Sequence, residues 1–475
     1  MINLKALSLS ILLGVILVLP APFAAAKTFR IAQVSDCHLR GDGLHNKQLQ
    51  AVIDEINSSV PKLDFVLSTG DYTDWGTADQ FERYQQVISS LTVPIYTAIG
   101  NHEVKWSPWA KTGQERFLDK KLYYSFDHEG VHFIAMDSTI WLEHNSYIDP
   151  LELQWLKKDL QRTGTQMPVV IFYHHCPNYV TNESALLDIL KPYNVKLALV
   201  GHEHIWDTYV RNGIQFQLAM NCYPDPGNYR IVEFDDSTIK SYRKVVGKEA
   251  VPDGEFTLSP VKNPVRLISP TANKHLNASF EAVAESEVPM QKFEFAVDGV
   301  YQTASRSDDG RYHATFSGKI IPGHHIVTAR GTDASGGEWL QSAPVTLGDT
   351  GREAWRFKAR GAVQRSVTVK DGRLFFGCTG GNVYALDAAT GKQIWKVNVG
   401  SDVISKMAVE NGTVFFGNTG GEIIALSAET GNRIWANKFA GPVQASPVVE
   451  NSIVYTGAGN GGFYAIDAAT GRVIW

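Results

Sequence analysis

The sequence contains little cysteine and no concentration of basic residues. Four cysteines among 475 residues are too few for a disulfide framework. Three of them, Cys37, Cys176 and Cys222, are interpreted as small buried apolar residues, with one oxidised pair among the three as the alternative. The net charge is −5, and lysine and arginine are scattered along the chain. This distribution excludes a nucleic-acid groove, which would require a basic stripe on one face.

Long apolar runs are also scarce, and the clearest one lies near the N-terminus, from Ala6 to Leu19. It is shorter than the roughly 20 residues that a membrane-spanning helix needs, so no transmembrane span is expected. Lys5 precedes the run, and small residues ending at Ala26 follow it. This arrangement predicts a secretory signal over residues 1–26 and export to the periplasm or the cell exterior.

The middle of the sequence divides into two patterns. Over residues 27–250, strand-like apolar runs alternate with segments of helical spacing, which indicates a layered α/β domain. The helical spacing recurs in four segments: 49–56, 81–91, 151–160 and 184–190. Over residues 261–348, short alternating strands and polar turns predict a small β-sandwich, and this zone resembles a bacterial immunoglobulin-like module.

The last part of the sequence repeats with a period of 40 residues, and one tryptophan marks each period: Trp355, Trp395, Trp435 and Trp475. A period of this length, with strand patterning and glycine turns, predicts β-propeller blades over residues 350–475. Three periods are present, whereas propellers close with 4–8 blades, so an incomplete set is expected. The units resemble pyrroloquinoline-quinone-type repeats, which also occur without that cofactor, and we interpret them as a surface for a protein or glycan partner.

Polar residues follow five of the apolar runs in the α/β zone, at the points where strands are expected to end. They are Asp36-Cys37-His38, Gly70-Asp71, Gly100-Asn101-His102-Glu103, His174 and Gly201-His202-Glu203-His204. Open α/β sheets place their ligand sites at such strand ends. The five segments are therefore expected to meet at one edge of the sheets.

The residue types in these segments are suited to holding two divalent metal ions. The donor set has two carboxylates, one amide and four imidazoles: Asp36, His38, Asp71, Asn101, His174, His202 and His204. Asp71 is the natural bridge between two cations, while Asp36 and His38, one residue apart, can face the same ion. His202 and His204 repeat that spacing. Donors of these types accept Mn, Fe and Zn alike.

These motifs resemble those of the calcineurin-like metallophosphoesterase superfamily, whose pattern is D-x-H, G-D, G-N-H-[DE], a lone His and G-H-x-H. The match spans about residues 29–235. The resemblance implies a four-layer αββα sandwich with two mixed sheets between helices. It also implies one metal held by Asp36, His38, Asp71 and His204. The same resemblance gives the second metal to Asp71, Asn101, His174 and His202, and places His102 beside the pair as the acid or electrostatic partner of the leaving oxygen.

Two departures point to one branch of that superfamily. Asp74 stands where purple acid phosphatases carry a tyrosine ligand, which argues against a purple ferric site. The segments around Asp74 and Cys222 are closer to the class III cyclic-nucleotide phosphodiesterases. In that branch the first of two adjacent histidines is the ligand, which favours His174 and leaves His175 as the alternative.

The sequence therefore predicts an exported phosphohydrolase with two metal ions and a small phosphate-ester substrate. By the resemblance, it would cleave phosphodiester or phosphomonoester bonds by in-line attack of a metal-bridging hydroxide. The alternative is a carbohydrate- or protein-binding scaffold with a vestigial metal domain. The complete set of seven donors favours the enzyme, because a relic is expected to have lost ligands.

Overall fold

In the computed structural model, the described residues are 28–43, 45–107, 109–141, 144–277, 279–317, 321–348 and 354–475. The predicted signal segment lies outside these ranges. Within them, no helix is both long enough and apolar enough to cross a membrane.

Residues 29–257 alternate strands with helices, as the apolar spacing predicts. The helices are α1 (Asn46–Ser58), α2 (Ala78–Ile88), α3 (Thr112–Leu118), α4 (Pro150–Thr163) and α5 (Glu183–Leu190). The strands are β1 (Phe29–Val34), β2 (Phe65–Thr69), β3 (Ile95–Ala98), β4 (Tyr124–His128), β5 (Val131–Ala135), β6 (Val169–Phe172), β7 (Val195–Val200), β8 (Asp207–Arg211), β9 (Ile214–Leu218), β10 (Asn228–Phe234), β11 (Thr238–Val245) and β12 (Val251–Thr257). The helix α3 is absent from the four predicted segments because seven residues are too few to establish a helical period.

Two sheets pack face to face in this region. The first has the order β12-β11-β10-β1-β2-β3, and the second contains β8-β9-β7-β6-β5-β4. Phe65 of the first sheet and Phe133 and Leu199 of the second share one buried cluster between the sheets. The helices α1 and α2 cover the outer face of the first sheet, and α4 and α5 cover that of the second. The predicted four-layer αββα arrangement is confirmed.

The parallel strands bring the polar segments together. β1, β2 and β3 run parallel in the first sheet, and β5, β6 and β7 run parallel in the second. Because parallel strands end at the same edge, the residues that follow them meet there. The five predicted donor segments follow β1, β2, β3, β6 and β7.

The next region contains only strands. They are β13 (Val265–Ser269), β14 (Lys274–Leu276), β15 (Phe280–Ser286), β16 (Lys292–Val297), β17 (Val300–Thr303), β18 (Ser305–Arg306), β19 (Tyr312–Phe316), β20 (Gly323–Thr332) and β21 (Glu338–Leu347). One sheet has the order β13-β15-β19-β18, and it packs on β16, β20 and β21 around buried Phe295 and Val327. β21 also pairs with β8 of the α/β region, so the two regions share one continuous 11-stranded sheet.

The repeats form three separate antiparallel sheets. Their strands are β22 (Thr368–Lys370), β23 (Arg373–Gly377), β24 (Asn382–Asp387), β25 (Gln393–Asn398), β26 (Ala408–Glu410), β27 (Thr413–Gly417), β28 (Glu422–Ser427), β29 (Arg433–Lys438), β30 (Val448–Glu450), β31 (Ile453–Gly457) and β32 (Phe463–Asp467). The ring N–H of Trp395 donates to Ala428 O of the next sheet at 3.1 Å, and Trp435 repeats this bond to Ala468 O at 2.9 Å. Each tryptophan therefore links adjacent blades, because a large ring and its polar N–H are both satisfied there.

His132, a buried residue of β5, forms contacts that favour its protonated form. Its Nδ1 lies 2.5 Å from Asp127 Oδ1 and its Nε2 lies 2.9 Å from Asp159 Oδ2. Burial lowers the pKa of His132, but the bonds to Asp159 and Asp127 outweigh burial and raise it. A raised pKa in the folded state stabilises the fold below the unfolded pKa of about 6.5, and this contribution is lost as the pH rises through the folded pKa.

We therefore expect His132→Gln to lower the free energy of unfolding near pH 5.5 by about 2 kcal/mol, a value typical of hydrogen bonds to charged groups. The difference from the wild type should shrink as the pH rises. Urea unfolding of both proteins across this pH range measures it. A difference that does not change with pH would mean that His132 packs as a neutral ring.

Candidate metal centre

The backbone at the predicted donors adopts an uncommon conformation. Five of these residues have positive φ: Asp36 (52°), His38 (46°), Asp71 (51°), His202 (76°) and His204 (55°). Such conformations cost about 1–3 kcal/mol each, and they cluster at functional sites. Backbone bonds hold the first two loops in this form: Asp36 N donates to Gly70 O at 3.0 Å, and His38 N donates to Asp71 O at 2.9 Å.

The loops approach each other closely, and Gly201 makes this possible. A Cβ atom at Gly201 would lie 2.1 Å from Ser35 Oγ and 2.5 Å from Asp36 Oδ2. The same approach lets His202 N donate to Asp36, 3.2 Å from each carboxylate oxygen. The glycine that begins the G-H-x-H motif is thus required by packing against the D-x-H loop.

One group of donors gathers around Asp36. Its Oδ1 lies 3.2 Å from His204 Nε2 and 3.9 Å from His38 Nε2. The two histidine Nε2 atoms are 3.1 Å apart. Two ring nitrogens and a carboxylate oxygen that converge in this way match the ligand set of a transition-metal ion.

A second group gathers around His174. Its Nε2 lies 3.1 Å from Asp71 Oδ2, 3.0 Å from Asn101 Oδ1 and 3.2 Å from His202 Nδ1. Its Nδ1 lies 2.8 Å from Thr69 O, a carbonyl that can only accept, so Nδ1 carries the hydrogen. In the neutral ring the Nε2 lone pair therefore faces the other donors, as metal binding requires.

Asp71 connects the two groups. The same oxygen, Oδ2, lies 3.1 Å from His174 Nε2 and 3.9 Å from His38 Nε2. The other oxygen, Oδ1, accepts a hydrogen bond from His102 N at 2.8 Å. One carboxylate oxygen that faces both groups fits a bridging ligand, and the residues present therefore suit a pair of cations.

The site combines buried carboxylates with buried imidazoles. Burial raises the pKa of Asp71, but His174 and His102 outweigh burial and hold it well below its usual value. Burial lowers the pKa of His174, but Asp71 outweighs it and raises the pKa to about 9. For His202, burial and the charge of His174 lower the pKa to about 3. When its imidazoles lose their protons, this cluster of carboxylates and ring nitrogens can bind metal cations instead.

The buried side chain of Glu103 connects the loop that contains Asp71 to the loop that contains Gly100. Its Oε2 accepts hydrogen bonds from Asp71 N and Gly100 N, both at 2.9 Å, and its Oε1 accepts from Thr73 N and Thr73 Oγ1, both at 2.7 Å. Burial and the nearby negative charge of Asp71 raise the pKa of Glu103 to about 7. The fourth residue of the G-N-H-E segment thus fixes the loop of Asp71 and stays out of the donor groups.

Asp74 orients two histidines, a role that the sequence did not indicate. Its carbonyl oxygen lies 2.6 Å from His102 Nδ1, and its Oδ1 lies 3.4 Å from His38 Nδ1. Arg40 Nε holds the other carboxylate oxygen at 2.6 Å. The aspartate that replaces a tyrosine of the purple acid phosphatases therefore fixes His38 and His102 from outside.

Among the described residues, His174 has a ring nitrogen within 3.2 Å of other donors, whereas no such contact is formed by His175, although its ring lies beside that of His202. His175 Nδ1 lies 2.9 Å from Ser138 Oγ. Its Nε2 is buried, and no described residue bonds to it. Burial, with the nearby His174 and His202, holds the pKa of His175 well below its usual value. The geometry favours His174 as the ligand of the two.

Aromatic and imidazole rings surround the donors. Trp106, which is 51% exposed, stands edge-on to His102 with ring centres 4.8 Å apart. Tyr223 stacks on His45 at 4.1 Å and lies edge-on to His38 at 5.7 Å. Each of these rings therefore lies beside a histidine of the site. The four cysteines are buried and unpaired, which agrees with their interpretation as apolar residues.

Comparison with known proteins finds a matching family for each of two parts of the chain. Residues 29–206 match the family model of calcineurin-like phosphoesterases, and residues 345–475 match the PQQ_2 model, described as outer membrane protein assembly factor BamB. Residues 29–206 therefore form a calcineurin-like phosphoesterase domain, and the protein is a metal-dependent phosphoesterase with BamB-like repeats at its C-terminal end. The two corresponding resemblances are confirmed, whereas the immunoglobulin-like one stays a prediction.

Two relatives of the first domain bear the names of phosphodiesterases. The probable glycerophosphodiester phosphodiesterase GpdQ of Arcobacter nitrofigilis is 29% identical over 206 residues, which cover 39% of this chain and 75% of that protein. The 3′,5′-cyclic adenosine monophosphate phosphodiesterase CpdA of Pseudomonas aeruginosa is 25% identical over 193 residues, which cover 37% of this chain and 69% of that protein. Among solved structures, BamB from Moraxella catarrhalis is 20% identical with a TM-score of 0.24, over 38% of this chain and 51% of that one.

Proposed function

We propose that this protein hydrolyses phosphate esters, with phosphodiesters as its principal substrates, at a centre of two divalent cations. The observation that carries the proposal is the position of Asp71 Oδ2, which lies 3.1 Å from a nitrogen of one donor group and 3.9 Å from a nitrogen of the other. Phosphodiesters are favoured because the relatives GpdQ and CpdA bear the names of phosphodiesterases.

The distances support one assignment of the donors. Asp36, His38 and His204 would hold one cation, and Asn101, His174 and His202 would hold the other, with Asp71 shared by both. Each group offers ring nitrogens and a carboxylate oxygen within a few ångströms. Mn, Fe and Zn are all compatible with these donors.

The chain's own groups complete the reaction. When bound, two cations would activate water and offset the charge of the phosphoryl oxygens. Asn101 places a neutral amide among these groups and can contact a phosphoryl oxygen. His102 lies on the solvent side of Asp71, with Nε2 3.8 Å from Asp71 Oδ2 and 21% of its side chain exposed. It is the residue placed to meet the leaving oxygen, and Trp106 and Tyr223 can contact the substituent that the oxygen carries.

A panel of phosphate esters assayed with added Mn²⁺ tests the proposal. Bis(nitrophenyl) phosphate, nitrophenyl phosphate, a cyclic nucleotide and a glycerophosphodiester cover the diester and monoester classes. We expect metal-dependent hydrolysis of at least one diester, which is lost with chelator and restored by Mn²⁺. Binding of two metal equivalents without hydrolysis of any ester would favour the alternative of a vestigial metal domain.

The repeats contact the phosphoesterase domain through the first blade, and their other surfaces are candidates for binding a partner. Thr379 Oγ1 of the first blade donates to Asp149 Oδ2 at 2.7 Å, and the Arg365 guanidinium lies 5.5 Å from the Trp141 ring. We propose that the surfaces of the blades away from this contact bind a protein or glycan partner. Pull-down by the full chain of a partner that a variant with altered blade loops fails to retain would support this role.

We also propose that the protein is exported. The charge, the apolar run and the small residues of segment 1–26 support this, and we expect the mature chain to begin at or near Lys27. N-terminal sequencing of the protein recovered from a host with its secretion pathway intact measures the start. Recovery of Met1 on a cytoplasmic product would contradict the proposal.

A further inference from the structure

The shared sheet places a residue of the strand-rich region within a chain of contacts that ends at the donor groups. β21 joins β8 through a parallel pairing at Glu338 and Arg211. Asn212 N donates to Glu338 O at 2.8 Å, and Leu340 N donates to Asn212 Oδ1 at 2.6 Å. The end of β8 is therefore fixed by main-chain and side-chain bonds to β21.

Arg211 is the centre of a charged network at this junction. Its side chain is 8% exposed, and its Nη2 and Nε lie 2.6 and 3.0 Å from Glu338 Oε2. Its Nη1 lies 2.6 Å from Glu183 Oε1, the first residue of α5, and its Nη2 lies 3.4 Å from Asn178 Oδ1. A planar guanidinium held by two carboxylates has one orientation, so Glu338 sets where Arg211 presents its donors to Glu183 and Asn178.

Asn178 and Glu183 lie near the two ends of a short segment, residues 177–183, which lies against the metal site. Tyr179 of this segment stands edge-on to the His202 ring, with ring centres 4.6 Å apart. Cys176, which directly precedes the segment, has its Sγ 4.0 Å from Oε1 of Glu203, the residue between His202 and His204. The 177–183 segment therefore contacts the G-H-x-H loop through the ring of Tyr179.

The same loop is also reached from β8. His202 and His204 lie between the end of β7 at Val200 and the start of β8 at Asp207. Because β21 fixes the far end of β8, it limits where this loop can lie. Two routes, one through β8 and one through the 177–183 segment, thus run from Glu338 to His202.

We infer that Glu338 is a positioning residue of the phosphoesterase site, and that the strand-rich region 265–347 is a structural part of the catalytic unit. Glu338 holds Arg211, Arg211 holds the 177–183 segment, and Tyr179 of that segment fixes the ring of His202. The inference rests on the proposed function, in which His202 binds one of the two cations. Contacts outside the donor groups commonly change metal affinity by 10- to 100-fold.

The test compares Glu338→Ala with Glu285→Ala in the full chain. Glu285 also lies in the strand-rich region and pairs with an arginine, Arg266, whose Nε is 2.6 Å from Glu285 Oε1, but neither residue bonds to Arg211 or Glu338 within the described residues. We expect Glu338→Ala to weaken binding of one Mn²⁺ equivalent by roughly 10-fold, the lower end of the usual range, and to leave the other equivalent unchanged. Isothermal titration calorimetry resolves the two equivalents, and kcat should fall while KM changes little. Glu285→Ala should bind both ions as the wild type does.

Two further variants make the result decisive. Glu338→Gln keeps an acceptor oxygen for Arg211 and should recover most of the lost affinity, and it carries the same comparison if the alanine variant does not fold. His202→Ala should lose one Mn²⁺ equivalent altogether. If His202→Ala keeps both equivalents, the proposed ligand assignment is wrong. If His202→Ala loses one but Glu338→Ala binds both as Glu285→Ala does, or weakens both equally, Glu338 has no positioning role.

Discussion

Asp71→Asn should slow hydrolysis of phosphate esters by at least about a thousand-fold and reduce the bound metal below two equivalents. An asparagine keeps the size of the side chain but lacks the charge that lets one oxygen serve two cations. The charge stabilisation that metal ions supply to a phosphoryl group is worth several kcal/mol, and each 1.36 kcal/mol corresponds to a tenfold change in rate. Steady-state kinetics with added Mn²⁺ and metal analysis of the dialysed protein measure the two effects.

Asp137→Asn is the matched control for this change. Asp71 and Asp137 are equally buried, each 2% exposed, and Asp137 pairs with Lys111 at 2.5 Å away from the donor groups. The control removes a buried carboxylate without touching the site, so it should lower the melting temperature yet retain both metal ions. Near-normal turnover of Asp71→Asn with two ions bound would mean that the shared oxygen is not a bridge.

The positions of the predicted donors in the fold follow from a signal that is local in the sequence. Each predicted donor directly follows a buried strand, and parallel strands end at one edge whatever the details of packing. The spacing of Asp36 and His38, and of His202 and His204, places both side chains of each pair in one loop. The structure brings all seven predicted donors into two groups that share Asp71.

The groups that support the donors could not be predicted in the same way. Glu103 receives bonds from two loops, and Asp74 contacts His38 and His102 through different atoms, so their roles depend on tertiary distances. The pairing of Glu338 with Arg211 joins positions 127 residues apart in sequence, and neither residue belongs to a motif. Such contacts arise when separate regions pack, and a single sequence carries no local pattern for them.

His102 is the residue whose role the geometry defines in most detail. Its Nδ1 lies 2.6 Å from the Asp74 carbonyl oxygen, which can only accept, so Nδ1 carries a hydrogen. Nε2 can therefore donate a proton to a leaving oxygen only when the ring is protonated to imidazolium, and burial, which outweighs the charge of Asp71, lowers the pKa of His102. Nε2 lies 3.8 Å from Asp71 Oδ2, at the edge of the donor groups and outside hydrogen-bond distance of them. His102 is thus placed to act on the substrate while leaving the proposed ligands intact.

We expect His102→Ala to keep both metal ions and to slow hydrolysis by about 100- to 10,000-fold for substrates with poor leaving groups, the usual range for general acid–base catalysis. The loss should be much smaller for nitrophenyl esters, because nitrophenolate leaves without a proton. Kinetics of an alkyl and a nitrophenyl diester, with metal analysis, measure this difference. His128→Ala is the control, since His128 pairs with Asp64 at 3.3 Å and contacts none of the donors. An equal loss for both ester classes would make His102 a binding or structural residue, because only a group that assists departure of the leaving oxygen discriminates between them.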